Sequence, residues 1–137
     1  MTGCCSILRH ELDKRNIKIN RVAGASAGAW MGLFLCINLT IEQWIETYYG
    51  CKEGKAMNNF TVYESYDEIV LPWLRNVMPK DAYKQCSGRL FISITTFDTV
   101  KGFENMIVSE YSSNEDLINA CKSSGTIPFF SEPNGLR

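Results

Sequence analysis

Gly24-Ala25-Ser26-Ala27-Gly28 restricts the possible folds of this chain more than any other segment. It has the form G-x-S-x-G and lies between a short β-like run, residues 17–23, and an almost wholly apolar run, residues 27–39. That setting predicts a strand, a sharp turn and a buried helix, with the serine at the apex. Steric demand explains the composition. Where a strand reverses this tightly into a helix, the backbones come so close that only Gly or Ala fits beside the serine. The helix N-terminus then aims its free N–H groups and its positive dipole end at the Ser26 hydroxyl, and the Ala27 amide becomes a candidate donor to an oxyanion.

Residues 22–41 contain no charge, and Gly24, Gly28 and Gly32 repeat at four-residue spacing, as in packed membrane helices. A membrane span requires about 20 strongly apolar residues. Ser26, Asn38 and Thr40 interrupt this run, and its first half is only weakly apolar, so a buried elbow explains it better.

Elsewhere the pattern alternates between helix and strand. A helix is predicted over 4–15, with Ile7, Leu8 and Leu12 on one stripe and Asn16 ending it. Thr40 with Gln43 forms a capping box that opens a helix over 41–49. Residues 50–59 read as a loop. Ser65 with Glu68 opens a helix through Trp73 and Leu74 that Pro72 kinks or divides, and Pro79 starts another, ending near Cys86. Residues 89–97 read as a strand with Leu90, Ile92 and Ile94 on one face, 98–102 as a turn and 103–111 as its antiparallel return. Ser113 with Asp116 caps a last helix, which Gly125 stops. The class implied is α/β, a mainly parallel sheet flanked by helices, with the elbow at the carboxyl end of a central strand.

Fourteen basic and fifteen acidic residues leave a net charge of −1, which excludes nucleic acid as the main partner. Six cysteines occur without a C-x-x-C pair, and no basic leader runs into an apolar segment. They read as mostly buried, reduced thiols in a cytoplasmic protein, with no metal site and no cofactor.

One histidine occurs in the chain, His10, and it precedes Ser26. It lies off the apolar stripe of its helix, so a Ser-His-Asp triad is not expected and something else, such as a carboxylate acting directly as base, must activate the serine. Asp98, Glu115, Asp116, Asp67, Glu68 and Asp81 all sit at turns or helix starts, where acids have structural reasons to be, and none is nominated as the base. Trp30, Met31, Leu33, Phe34, Phe129 and Phe130 could line an acyl pocket, although packing accounts for them more simply. Trp73 and Leu74, beside Arg75 and Lys80, could touch a lipid surface.

The chain resembles the patatin-like phospholipase family, in particular the branch containing adipose triglyceride lipase. Gly3-Cys4-Cys5-Ser6-Ile7-Leu8-Arg9 is similar to the first helix of that domain, and Gly24-Ala25-Ser26-Ala27-Gly28-Ala29 to its nucleophile motif. Ser87-Gly88-Arg89-Leu90 with Ile92-Ser93-Ile94-Thr95 is similar to a second block. Residues 112–120, with Ser124-Gly125-Thr126-Ile127-Pro128, are similar to a third. The resemblance implies a patatin-like three-layer fold over a single domain, 1–137. It also implies a lipid acyl ester hydrolase that uses Ser26 in a Ser-Asp dyad, without cofactor, at a membrane or lipid-droplet surface. In the family the aspartate follows the Ile-Pro block in a DG[GA] motif, and a glycine-rich oxyanion loop precedes the first helix. The chain is therefore expected to be the interior of such a domain, incomplete at both ends. Triacylglycerol, phospholipid and retinyl ester all remain open as substrates. A non-catalytic lipid-binding or regulatory fragment of the same fold is the alternative.

Overall fold

A computed structural model describes residues 2–40, 43 and 71–126. The chain divides into two compact units, residues 1–38 with 80–137, and residues 39–79.

In the first unit, α1 (Thr2–Lys14) leads to β1 (Val22–Ala25) and then directly into α2 (Ala27–Cys36). Asn16 ends α1 in a Schellman motif. At φ 53° it lets the Ile17 N–H reach back to the Leu12 carbonyl and its own N–H to that of Asp13. The Arg9 guanidinium donates to the Leu35 carbonyl of α2 and pairs with Asp13 at 3.1 Å. Ile7 and Leu8 are exposed, contrary to the apolar stripe expected to face the core, because α1 presents its Arg9 side to α2.

The strand beginning at residue 17 is also corrected, since pairing starts only at Val22. The carbonyls of Ile19 and Asn20 accept from the Arg89 guanidinium, at 3.0 and 3.4 Å, instead of from a strand. β1 runs parallel to β2 (Leu90–Asp98), with Val22 opposite Leu90 and Ala25 opposite Ser93. β3 (Gly102–Val108) returns antiparallel to β2, as expected, from Ile92 opposite Val108 to Asp98 opposite Gly102. The described strands thus form a mixed sheet in the order β1-β2-β3, and β1 is the outer strand among them rather than a central one. Strand order depends on long-range pairing that no local pattern encodes.

Leu90, Ile92 and Ile94 point to the face covered by α2 and the last helix, and all three are buried. Leu33, Leu117, Ile118, Cys86 and Cys121 complete this core. At about 25 cal/mol per Å² of apolar surface, each fully buried leucine or isoleucine contributes roughly 1.5–3 kcal/mol. The helix approaches closely because residue 32 lacks a side chain: a Cβ on Gly32 would lie 2.7 Å from Leu90 Cδ1 and 2.8 Å from Val22 Cγ1. The opposite face of the β2–β3 hairpin carries Phe97 and Phe103, exposed and with ring centroids 5.0 Å apart. The α/β expectation therefore holds, with a helical layer packed on one face of the described sheet.

Between β1 and β2, still within this unit, a short helix spans Ala82–Cys86. It starts later than the proline-initiated helix expected at Pro79. A partner from another element fixes its start, because the Tyr83 N–H donates to Asn114 Oδ1 at 3.0 Å. The last helix, Asn114–Gly125, opens as predicted with Ser113 Oγ accepting the Asp116 N–H. Tyr111 buries its ring and donates its hydroxyl to the Leu90 carbonyl at 2.9 Å, pinning the end of the hairpin to β2.

In the second unit a helix is described over Leu71–Val77. Leu74 is fully buried, which removes it from the surface patch expected around Trp73. The capping box at its other end forms in both directions, with Thr40 N–H to Gln43 Oε1 at 3.0 Å and Gln43 N–H to Thr40 Oγ1 at 3.3 Å. The helix over 41–49 apart from Gln43, the loop over 50–59, the Ser65/Glu68 box and the segment of Phe129 and Phe130 lie outside the described residues.

In chain order the helices are hereafter α1, α2, α3 (Leu71–Val77), α4 (Ala82–Cys86) and α5 (Asn114–Gly125).

Candidate active site

Gly24 and Ala25 end β1, Ser26 occupies the turn, and Ala27 and Gly28 begin α2. Ser26 adopts φ 52°, ψ −125°, a left-handed conformation that an L-residue reaches only with strain. Its side chain makes no capping bond and the residue is exposed. The helix begins at once, with the Ala29 N–H bonded to the Ser26 carbonyl at 3.0 Å. The amides of Ala27 and Gly28 precede that of Ala29, which donates to the Ser26 carbonyl, and face the N-terminal end of α2.

The two flanking glycines have separate roles. A Cβ on Gly24 would fall on the Gly28 carbonyl and lie 2.8 Å from the Ala29 nitrogen, so β1 and α2 could not meet at this angle with any side chain there. Gly28 supplies the backbone that Gly24 meets. Residues 22–36 of the uncharged run therefore form a strand, a turn and a ten-residue helix. No described helix is long and apolar enough to cross a membrane.

One contact was not foreseen as part of the site. The Ser26 N–H donates to Ser124 Oγ at 2.8 Å, and the Ser124 hydroxyl donates onward to the Ser93 carbonyl at 2.6 Å. Ser124 lies in the last turn of α5. The only sequence signal for it is its place in the third block of family resemblance, next to Gly125-Thr126-Ile127-Pro128.

Of the acids set aside on sequence, Asp98, Asp116 and Asp81 have structural partners, and Asp67 and Glu68 lie outside the described residues. The N–H groups of Lys101 and Val100 hold the Asp98 carboxyl below its ordinary range, at the hairpin tip. Asp98 is five residues beyond Ser93, the partner of Ala25, and so about 17 Å along the strand from the elbow. The Asp116 carboxyl is lowered by the N–H and hydroxyl of Ser112. Asp81 accepts from Gln85 Nε2 at 3.0 Å. His10 is exposed on α1. Trp30, Met31, Leu33 and Phe34 are buried in the core, consistent with packing.

Among the described residues, no cluster of three or more His, Cys, Asp or Glu side chains is arranged to hold a metal ion. Cys36, Cys86 and Cys121 are buried free thiols, whereas Cys4 is exposed and Cys5 half-buried, so the buried reading holds for the first three.

The profile of the Patatin-like phospholipase family matches residues 5–137. The chain is 32% identical over 131 residues to mouse omega-hydroxyceramide transacylase, covering 93% of this chain and 21% of that protein. It is 31% identical over 134 residues to human patatin-like phospholipase domain-containing protein 2, covering 93% and 25%. With human patatin-like phospholipase domain-containing protein 4 it shares 31% over 135 residues, covering 93% and 51%. The chain thus spans from about a fifth to about half the length of these relatives. No solved structure matches it. The family profile covers the strand, the serine turn and the buried helix together, and the chain belongs to the patatin-like phospholipase family.

Proposed function

We propose that this chain carries the nucleophile of a lipid acyl hydrolase, and that Ser26 is that nucleophile. Its backbone at φ 52° in the turn between β1 and α2 is the observation that carries the reading. Ser26 Oγ attacks the ester carbonyl carbon, and its proton passes through a base to the leaving alkoxide as the C–O bond breaks. The Ala27 amide donates to the oxyanion, with Gly24, Ala25 and Gly28 allowing the turn. Water then releases the acid. The base in this reading is the aspartate of the DG[GA] motif that the family resemblance implies, and the turn and cap bonds of Asp98, Asp116 and Asp81 support looking beyond those three. The substrate is a lipid ester of the triacylglycerol or phospholipid type, met at a membrane or lipid-droplet surface. The name of the mouse relative, a transacylase, supports a variant in which an alcohol replaces water as acyl acceptor.

The test is active-site labelling of the full-length protein with a fluorophosphonate. Labelling and ester turnover that disappear together in Ser26→Ala are expected. A wild-type protein that resists the probe would favour the non-catalytic lipid-binding reading, and a Ser26→Ala variant that still turns over ester would end the assignment.

A further inference from the structure

β1 and β2 pair in parallel with Val22 opposite Leu90, and the Val22 N–H donates to the Arg89 carbonyl at 2.8 Å. Rungs of a parallel ladder recur every second residue. The next donor is residue 24, toward the carbonyl of residue 91, and the one after it is residue 26, toward that of residue 93. Ser26 is where the chain leaves the sheet for α2, so that last rung is not made directly. The Ser124 hydroxyl fills the gap. It accepts the Ser26 N–H at 2.8 Å and donates to the Ser93 carbonyl at 2.6 Å, so the rung is made through a side chain from α5.

We infer that Ser124 is a positioning residue for the elbow, one whose hydroxyl holds the Ser26 backbone at a fixed offset from β2 and so aims Ser26 Oγ. The inference rests on the reading of Ser26 as nucleophile. Its physical basis is that a strained backbone persists only where its surroundings over-determine it. At Ser26 the carbonyl is held by the Ala29 N–H on the helix side, and the N–H is held by Ser124 on the sheet side. With both peptide groups anchored, the turn cannot relax toward an ordinary conformation. Loss of the hydroxyl frees the sheet-side anchor while leaving the helix-side one in place. Because Ser124 touches the backbone and not the acyl group, its loss should appear in kcat and not in KM.

The experiment compares Ser124→Ala, Ser124→Thr and Ser26→Ala in the full-length protein by two readouts. One is amide hydrogen exchange at Ser26, which reports the bridge without reference to activity. The other is kcat and KM on a soluble ester, with the fluorophosphonate labelling rate. Ser124→Ala should speed exchange at Ser26 by about tenfold or more. It should also lower kcat and the labelling rate by about 10- to 100-fold at unchanged KM, as a small misplacement of a reacting group does. Ser124→Thr, which keeps the hydroxyl, should restore both. Unchanged exchange or unchanged kcat in Ser124→Ala, with Ser26→Ala inactive, overturns the role of Ser124 alone. Turnover that survives Ser26→Ala overturns that role together with the nucleophile. If Ser124→Ala does not melt cooperatively, Ser124→Thr and Ser124→Cys decide. A fast threonine and a slow cysteine variant support the bridge, and equal rates refute it.

Discussion

Gly24 lies against the backbone carbonyl of Gly28 with no room for even one methyl group between them. The obstacle is main chain, so no side-chain rotation can relieve it. Gly24→Ala should therefore force β1 and α2 apart. Overpacking of this kind costs about 1–3 kcal/mol, and the rigid obstacle puts this case at the upper end. Urea unfolding should register that loss, and fluorophosphonate labelling of Ser26 should fall further than the loss of folded protein explains.

Gly32→Ala tests a softer clash. Its Cβ meets the methyl ends of Leu90 and Val22, which can shift. It should destabilise by less than Gly24→Ala, about 1 kcal/mol. Leu90→Ala should cost less in the Gly32→Ala background than alone, because it vacates the space the new methyl needs. A double-mutant cycle by urea melts measures this, and strictly additive losses would contradict the packing.

Backbone strain at Ser26 makes a prediction about stability. Glycine adopts φ 52° without the strain that alanine, like serine, incurs there. Ser26→Gly should be more stable than Ser26→Ala by about 1 kcal/mol, with both inactive. Thermal melts of the two variants check it, and a more stable alanine variant would contradict it.

His10→Gln should retain most ester turnover, because His10 is exposed on α1 and the proposed mechanism uses a carboxylate as base. The pH–rate profile should keep its shape on substitution. A loss as large as that of Ser26→Ala would mean that a triad operates.

Alkaline conditions should weaken the core through Cys121. Burial pushes this thiol up from its ordinary 9.0 to about 12. The folded state keeps the proton where the unfolded state has released it, so stability is constant below pH about 9 and falls as pH rises toward 12, by up to about 1.4 kcal/mol per unit. Tyr111, raised chiefly by burial, adds to the same trend. Urea melts between pH 7.5 and 10.5 should show the decline, and a shallower one in Cys121→Ala.

The sequence carried most of what short-range geometry decides. Gly24 to Gly28 announced the elbow because close backbone approach leaves so few residue choices. Thr40 with Gln43 and Ser113 with Asp116 marked helix starts because the capping bonds are local. The β2–β3 hairpin was readable from its alternation and its turn. Features set by distant partners were hidden. Arg89 claims the carbonyls of Ile19 and Asn20 and delays β1. Asn114 fixes the start of α4 through Tyr83. Ile7 and Leu8 turn outward because Arg9 grips α2. Ser124 was visible only as one letter of a familiar block, since a serine in a last helical turn looks the same whether it faces water or a strand.

Ser124 enters the chain 98 positions after Ser26. A ribosome releases residues in order, so a nascent chain holds Ser26, β1 and α2 long before it holds the hydroxyl that ties the turn to β2. Until α5 emerges and docks, the serine sits on an untied loop beside an unfinished sheet. The proposed nucleophile is thus tied down only after α5 has emerged, and a chain interrupted before residue 124 would carry the whole G-x-S-x-G motif without its sheet-side tie.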